Sequence, residues 1–312
     1  MSQTPIGVLL MAYGAAGSLE EVEPYLQDIR GGRPVKPELV EEIKRRYRLM
    51  GGKSPLLEIT RLQAAALERK LNETGKVFSV RVGMRHWHPY IKDTVASMAA
   101  EGLHTLAAVC LTPYYSKLSV GTYFQKLDEA VLAAGASFDI HRVESWNDRP
   151  PYIEAVAEKI TRALDRFPSD LRKEIPVLFT AHSLPERILA EKDPYPDELL
   201  ETVGLVMERV GSNTHRFAYQ SPGRTPEPWL GPDAAAVINE MHAGGVRNLL
   251  MAPIGFISDH METLYDVDVL YRDQCLALGL RMERAESLNE SPALIGTLAE
   301  VVHQALAESV TP

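Results

Sequence analysis

Short apolar runs alternate along the chain with amphipathic stretches of helical length, and no other feature restricts the fold as tightly. Strand then helix, repeated, predicts parallel sheets with helices on both faces. The pattern is also duplicated. One expected strand, starting at Ile6, runs into "MAYG"; another, starting at Pro176, runs into "TAHS". Each is followed by a capping-box spacing, Ser18 with Glu21 and Ser183 with Glu186, so a helix start is expected at both places. Asp93 precedes Pro113 by 20 residues and Asp233 precedes Pro253 by the same 20, each time across a helix and a strand. The matches predict an α/β fold of two similar Rossmann-like lobes, each a parallel sheet flanked by helices. Ligands of such folds sit at the carboxyl ends of the strands, which places Tyr13 and His182 at a shared cleft. The polar stretch Pro168–Glu174 is the expected link, giving lobes 1–167 and 168–312, with the last helix a candidate to pack back on the first lobe.

The chain of 312 residues is long enough for two lobes. Its net charge of −9 argues against a general nucleic-acid binder. Two cysteines, Cys110 and Cys275, are too few for the four thiolates that usually hold an iron–sulfur cluster, and their spacing matches no zinc motif. They read as core residues or free thiols in a reducing cytoplasm. The amino-terminal stretch lacks a basic n-region and its apolar run is too short to span a bilayer, so neither signal peptide nor membrane anchor is expected.

Four constellations carry candidate chemistry. His182 stands at a strand's carboxyl end, although a histidine there can simply pack. In "PIGFISDHMETLYDVD", residues 253–268, His260, Glu262 and Asp266 lie close beyond another strand end. Asp259 with Glu262 also has capping-box spacing, and one helix is expected over Met261–Ala277. Glu262 and Asp266, four apart, would share a face of it, and imidazole with carboxylate suits a divalent transition metal such as Fe²⁺. A basic segment, residues 30–54, contains Arg30, Arg33, Lys36, Lys44, Arg45, Arg46, Arg48 and Lys53, which suggests a small polyanionic ligand. Lys44 and Arg48 there read as a solvated helix face. Its "GGKS" is no phosphate loop, because Tyr47 occupies the first-glycine position and Pro55 follows the serine. The loop "YQSPGRTPEPWLGPD", residues 219–233, offers Trp229 to a flat ligand or to ordinary packing. No GxGxxG, GxSxG, HExxH or CxxC is present.

Together, "MAYGAAG", "GGKSPLLEIT", "FTAHSLPERI", "YQSPGRTPEPWLGPD" and "PIGFISDHMETLYDVD" resemble ferrochelatase, in order and over nearly the whole chain. The resemblance implies a chelatase-like fold with its active-site cleft between the lobes, and insertion of Fe²⁺, as substrate, into a porphyrin. Tyr13 stands where relatives acting on protoporphyrin IX often carry methionine. This resembles the Gram-positive type, which is soluble, generally monomeric and acts on coproporphyrin III in haem biosynthesis. The resemblance further implies that Arg30, Tyr47 and Ser54 bind or border propionates in segment 30–55, with Arg33 added on charge. It places Tyr123, Arg85 and His86 along the cleft. His182 and Glu262 would handle metal and protons, His260 would orient Glu262, and Tyr13 would approach from the opposite face. Some relatives bind an iron–sulfur cluster and some continue the acidic face with a glutamate where this chain has Leu270, which bears on an outer divalent-cation site. Expected partners are the porphyrin and transient contacts with neighbouring haem-pathway enzymes, without nucleic acid or membrane insertion. A protoporphyrin IX ferrochelatase, a cobaltochelatase and a non-catalytic porphyrin or haem carrier are the alternatives.

Overall fold

The computed structural model describes residues 4–211 and 213–308. They divide into two compact units. One takes in the described part of Met1–Pro113, Lys117–Trp146 and Asn289–Pro312; the other takes in Tyr114–Ser116 and Asn147–Leu288.

The first unit is built on a four-stranded parallel sheet of β1 (Ile6–Ala12), β2 (Phe78–Met84), β3 (Thr105–Cys110) and β4 (Asp139–Val143), in the order β2-β1-β3-β4. The second has β5 (Val177–His182), β6 (His215–Gln220), β7 (Asn248–Ala252) and β8 (Arg281–Arg284), in the order β6-β5-β7-β8. The two orders are the same, so β5 corresponds to β1 and the expected duplication is present in the topology. It extends to the loops: Met84 N–H donates to Pro89 O (2.6 Å) after β2, and Tyr219 N–H donates to Pro232 O (2.8 Å) at the matching place in β6. The central strands β1 and β5 are buried almost throughout, as parallel strands covered on both faces must be.

Around the first sheet lie α1 (Val22–Ile29), α2 (Pro37–Leu49), α3 (Leu56–Asn72), α4 (Ile91–Ala100), α5 (Val120–Ala133) and α10 (Pro292–Glu308). The last of these packs on α3, β3 and β4. Around the second lie α6 (Pro150–Leu164), α7 (Tyr195–Val210), α8 (Ala234–Ala243) and α9 (Arg272–Ala277). The division falls before α6, not at the polar stretch 168–174, because α6 packs on α7, β7 and β8. No helix among the described residues is long and apolar enough to cross a membrane.

Three expected local features differ. The capping box at Ser183 is absent: the Ser183 hydroxyl donates to Leu230 O (2.8 Å), and a short 3₁₀ helix, Glu186–Leu189, follows in place of an α-helix. That at Ser18 is absent too. Helix α1 starts at Val22, and Glu21 instead accepts from Gly17 N–H (2.7 Å) and Trp87 Nε1–H (3.0 Å). The single helix expected over Met261–Ala277 is a π-helix, Glu262–Tyr271, that tightens into α9. Its wide turn shows in the i→i−5 bond from Arg272 N–H to Val267 O.

Candidate active site

In the second unit, β5 runs beside β6 as far as His182 and Gln220, but pairs with β7 only to Phe179. The final turn of β5 therefore projects beyond its neighbour. Gly255, after β7, crosses this projection so closely that a Cβ would lie 2.7 Å from Ala181 Cα, which explains the glycine in "PIG". His182 is the first residue of β5 to emerge from burial.

The His182 backbone is fixed by Tyr195, whose hydroxyl donates to His182 O (2.8 Å). Its ring Nδ1 lies 3.0 Å from Glu262 Oε2. Since an ionised carboxylate only accepts, Nδ1 carries the proton, and in the neutral ring Nε2 presents a lone pair. Glu262 opens the π-helix, and its carbonyl accepts from Gln220 Nε2 (2.9 Å). Gln220 is itself held by the Thr180 hydroxyl (2.7 Å), so β5, β6 and the π-helix are joined through one amide. His260 Nε2 stands 3.9 Å from Glu262 Oε2, while its Nδ1 is turned to Ser258 O (2.9 Å). Asp266 is buried and accepts from the Ser221 hydroxyl. Arg284 on β8 completes the support: Nη1 binds Asp259 (3.1 Å) and Nε binds Asp268 (2.9 Å), one carboxylate before the π-helix and one within it.

These contacts set the electrostatics. Burial works against a charge on His182, but Glu262, with Asp266 behind it, outweighs this and raises the imidazole above its ordinary pKa. Burial would likewise raise the Glu262 carboxyl; His182 and His260 outweigh it and hold the group well below the usual carboxylate range. About a third of each side chain stays accessible (33% and 31%), so the pair is open to a ligand.

The first unit presents a second group. Tyr13 follows β1 and is 41% exposed. Its ring lies 4.7 Å from that of His86, and the Arg85 guanidinium sits 5.8 Å over it and 5.6 Å over the ring of Tyr123. Tyr123 is buried beneath Arg85. His86 Nδ1 lies 2.9 Å from Asp28 Oδ1, and the Tyr90 hydroxyl donates to Asp28 Oδ2 (3.1 Å). The loop after Tyr13 turns at Gly14, with φ of 96° and a notional Cβ 2.9 Å from Trp87 N, a conformation and clearance that only glycine meets.

Several expected residues have other placements. Tyr47 is buried and accepts from Ala16 N–H (3.2 Å), and burial pushes its phenol up to about 12. Ser54 is buried and its N–H donates to Ala16 O (3.3 Å). Both therefore pin the loop after Tyr13, and neither offers an exposed side chain to a propionate. Trp229 packs on Gly223, leaving no room for a Cβ there, and bridges to Pro185, so its ring serves its own loop. Arg30 and Arg33 are exposed and form no ion pair among the described residues; Arg33 Nε donates to Arg30 O (2.9 Å). Leu270 is 43% exposed. Among the described residues no three His, Cys, Asp or Glu side chains are grouped to hold a metal ion, and His182 with Glu262 supplies two donors. Asp28, Gln220 and Arg284 were not anticipated, since their partners lie 58, 42 and 25 residues away along the chain.

The ferrochelatase family model matches residues 5–306. The chain belongs to the ferrochelatase family. A ferrochelatase of Deinococcus radiodurans is 40% identical over 309 residues, covering 98% of this chain and 98% of that protein. The coproporphyrin III ferrochelatase of Oceanobacillus iheyensis is 38% identical over 305 residues, covering 97% of each. Among solved structures, SirB from Bacillus subtilis with Fe³⁺ has a TM-score of 0.62 at 12% identity, over 98% of this chain and 97% of that one. CbiX, the terminal enzyme of sirohaem biosynthesis in denitrifying bacteria, has a TM-score of 0.55 at 11% identity, over 96% and 99%. At such identities the likeness is one of fold. For this ferrochelatase-family chain, membership supports iron insertion into a porphyrin.

Proposed function

We propose that the chain inserts ferrous iron into coproporphyrin III, releasing two protons, as a step of haem biosynthesis in the cytoplasm. The observation that carries the chemistry is the His182 Nδ1–Glu262 Oε2 pair at the end of β5. His182 turns a basic Nε2 outward to accept a pyrrole proton. Glu262, held ionised, is better suited to receive the incoming cation than a proton, and His260 steadies it.

Coproporphyrin is favoured over protoporphyrin by Tyr13 and by charge. Arg30 and Arg33 are exposed cations without acidic partners, as a substrate with four propionates requires. Tyr47 and Ser54 act indirectly in this reading, by holding the loop that carries Tyr13. The enzyme works as a monomer with transient contacts to neighbouring pathway enzymes.

The test is anaerobic Fe²⁺ insertion into coproporphyrin III and protoporphyrin IX under one set of conditions, with His182→Ala and Glu262→Gln alongside wild type. Large losses in both variants and a preference for coproporphyrin are expected. Near-wild-type turnover in both variants would sink the site, and a preference for protoporphyrin would overturn the substrate. Tight porphyrin binding without turnover would identify a carrier.

A further inference from the structure

Two pyrrole protons must leave for each Fe²⁺ bound, and in the reading above His182 accepts one while Glu262 stays ionised. The first unit holds a second imidazole–carboxylate pair. His86 presents Nδ1 to Asp28 Oδ1 at 2.9 Å, the same ring atom that His182 presents to Glu262. The other Asp28 oxygen is occupied by the Tyr90 hydroxyl (3.1 Å), so the carboxylate cannot rotate away without losing a partner. The His86 side chain is only 14% exposed, and its Nε2 has no hydrogen-bond partner among the described residues. Its ring lies against Tyr13, and its backbone N–H donates to Tyr13 O (2.9 Å).

Resting on the proposed function, we infer that Asp28 is a positioning residue that holds His86 as the Nδ1–H tautomer, so that His86 Nε2 accepts a pyrrole proton beside Tyr13. In that step the N–H bond of one pyrrole breaks, and its electron pair stays on the nitrogen to bind Fe²⁺. The proton forms an Nε2–H bond on His86, the resulting imidazolium is stabilised by Asp28, and water later removes the proton. Burial, with a further contribution from Arg85, lowers the imidazole's pKa despite Asp28, which keeps the ring neutral and able to accept. The pair is written in no contiguous motif: Asp28 lies in the last turn of α1, and His86 follows β2.

Two measurements test it. In the protein without substrate, long-range ¹H–¹⁵N spectra are expected to show His86 protonated at Nδ1 in wild type and in Asp28→Asn, whose side-chain carbonyl can still accept. Asp28→Ala is expected to show mixed tautomers. In turnover, Asp28→Ala is expected to lower kcat by about tenfold, the scale on which carboxylate partners of functional imidazoles act, with Asp28→Asn recovering much of it. In a His86→Ala background the same substitution should cost nothing more. An unchanged tautomer, an active His86→Ala enzyme, or an equal loss from Asp28→Ala in both backgrounds overturns the inference. Absence of iron insertion by wild type would instead overturn the proposed function, and the tautomer spectra would still report on Asp28.

Discussion

His182 on β5 and Glu262 on the π-helix meet at 3.0 Å although 80 residues separate them, and the contact shifts both groups in the direction of charge. The consequence for stability has two limbs. His182, raised above 6.5, contributes stability that is complete below that value and is lost as pH rises through the folded pKa. Glu262, lowered from 4.5, contributes stability that is present above that value and is lost as pH falls through the folded pKa. The stability difference between wild type and Glu262→Gln is therefore expected to be greatest between about pH 4.5 and 6.5 and to shrink on either side. Urea denaturation across pH measures it, and a difference independent of pH would contradict the pairing.

Arg284 should matter more than a surface arginine. Its side chain is 12% exposed and serves two carboxylates. Arg284→Met would remove the guanidinium between Asp259 and Asp268, at a cost of about 3 kcal/mol for breaking a buried ion pair. Adding Asp268→Asn should restore part of the loss. Thermal unfolding reads the cost, and kcat is expected to fall with it because Glu262 begins the helix that Arg284 clamps.

Two glycines offer a controlled comparison. Gly31 has φ of 66° with open space around it, so Gly31→Ala should cost only the left-handed backbone term, about 1 kcal/mol. Gly14→Ala adds a clash with the Trp87 backbone and is expected to cost clearly more, and to displace Tyr13. Urea midpoints compare the two stabilities, and porphyrin titration of the Gly14 variant reports on Tyr13.

Substrate charge can be tested at Arg30 and Arg33. The double Arg→Ala variant is expected to raise KM for coproporphyrin III more than for protoporphyrin IX, with kcat less affected. Equal increases for both porphyrins would remove these residues from carboxylate recognition.

The strand ends were legible because a buried parallel strand needs a continuous apolar run, and "VLFTA" stops at its first imidazole. The duplication was legible because both units repeat the same order of apolar runs and helices, although Asp233 caps α8 while Asp93 lies within the first turn of α4. The capping boxes misled because Ser183 and Glu21 found partners in distant loops, Leu230 and Trp87, which a local spacing rule does not weigh. The π-helix was hidden for a similar reason: Gln220 arrives from β6 to bind the Glu262 carbonyl, and Arg284 from β8 to bind the Asp268 carboxylate. Tyr47 and Ser54 were expected to bind or border propionates, but burial gives them the backbone of Ala16 as partner. Trp229, open in the sequence to a flat ligand or to ordinary packing, packs on Gly223.

The packing of α10 on α3, β3 and β4 has a consequence for biogenesis. On a ribosome the chain emerges in order, and domains generally fold as they are completed. The first unit lacks one of its helices until all of the second unit has been made. The second unit, whose segments all lie upstream of that helix, can finish first, so the lobe whose first strand precedes the other's is the last to close.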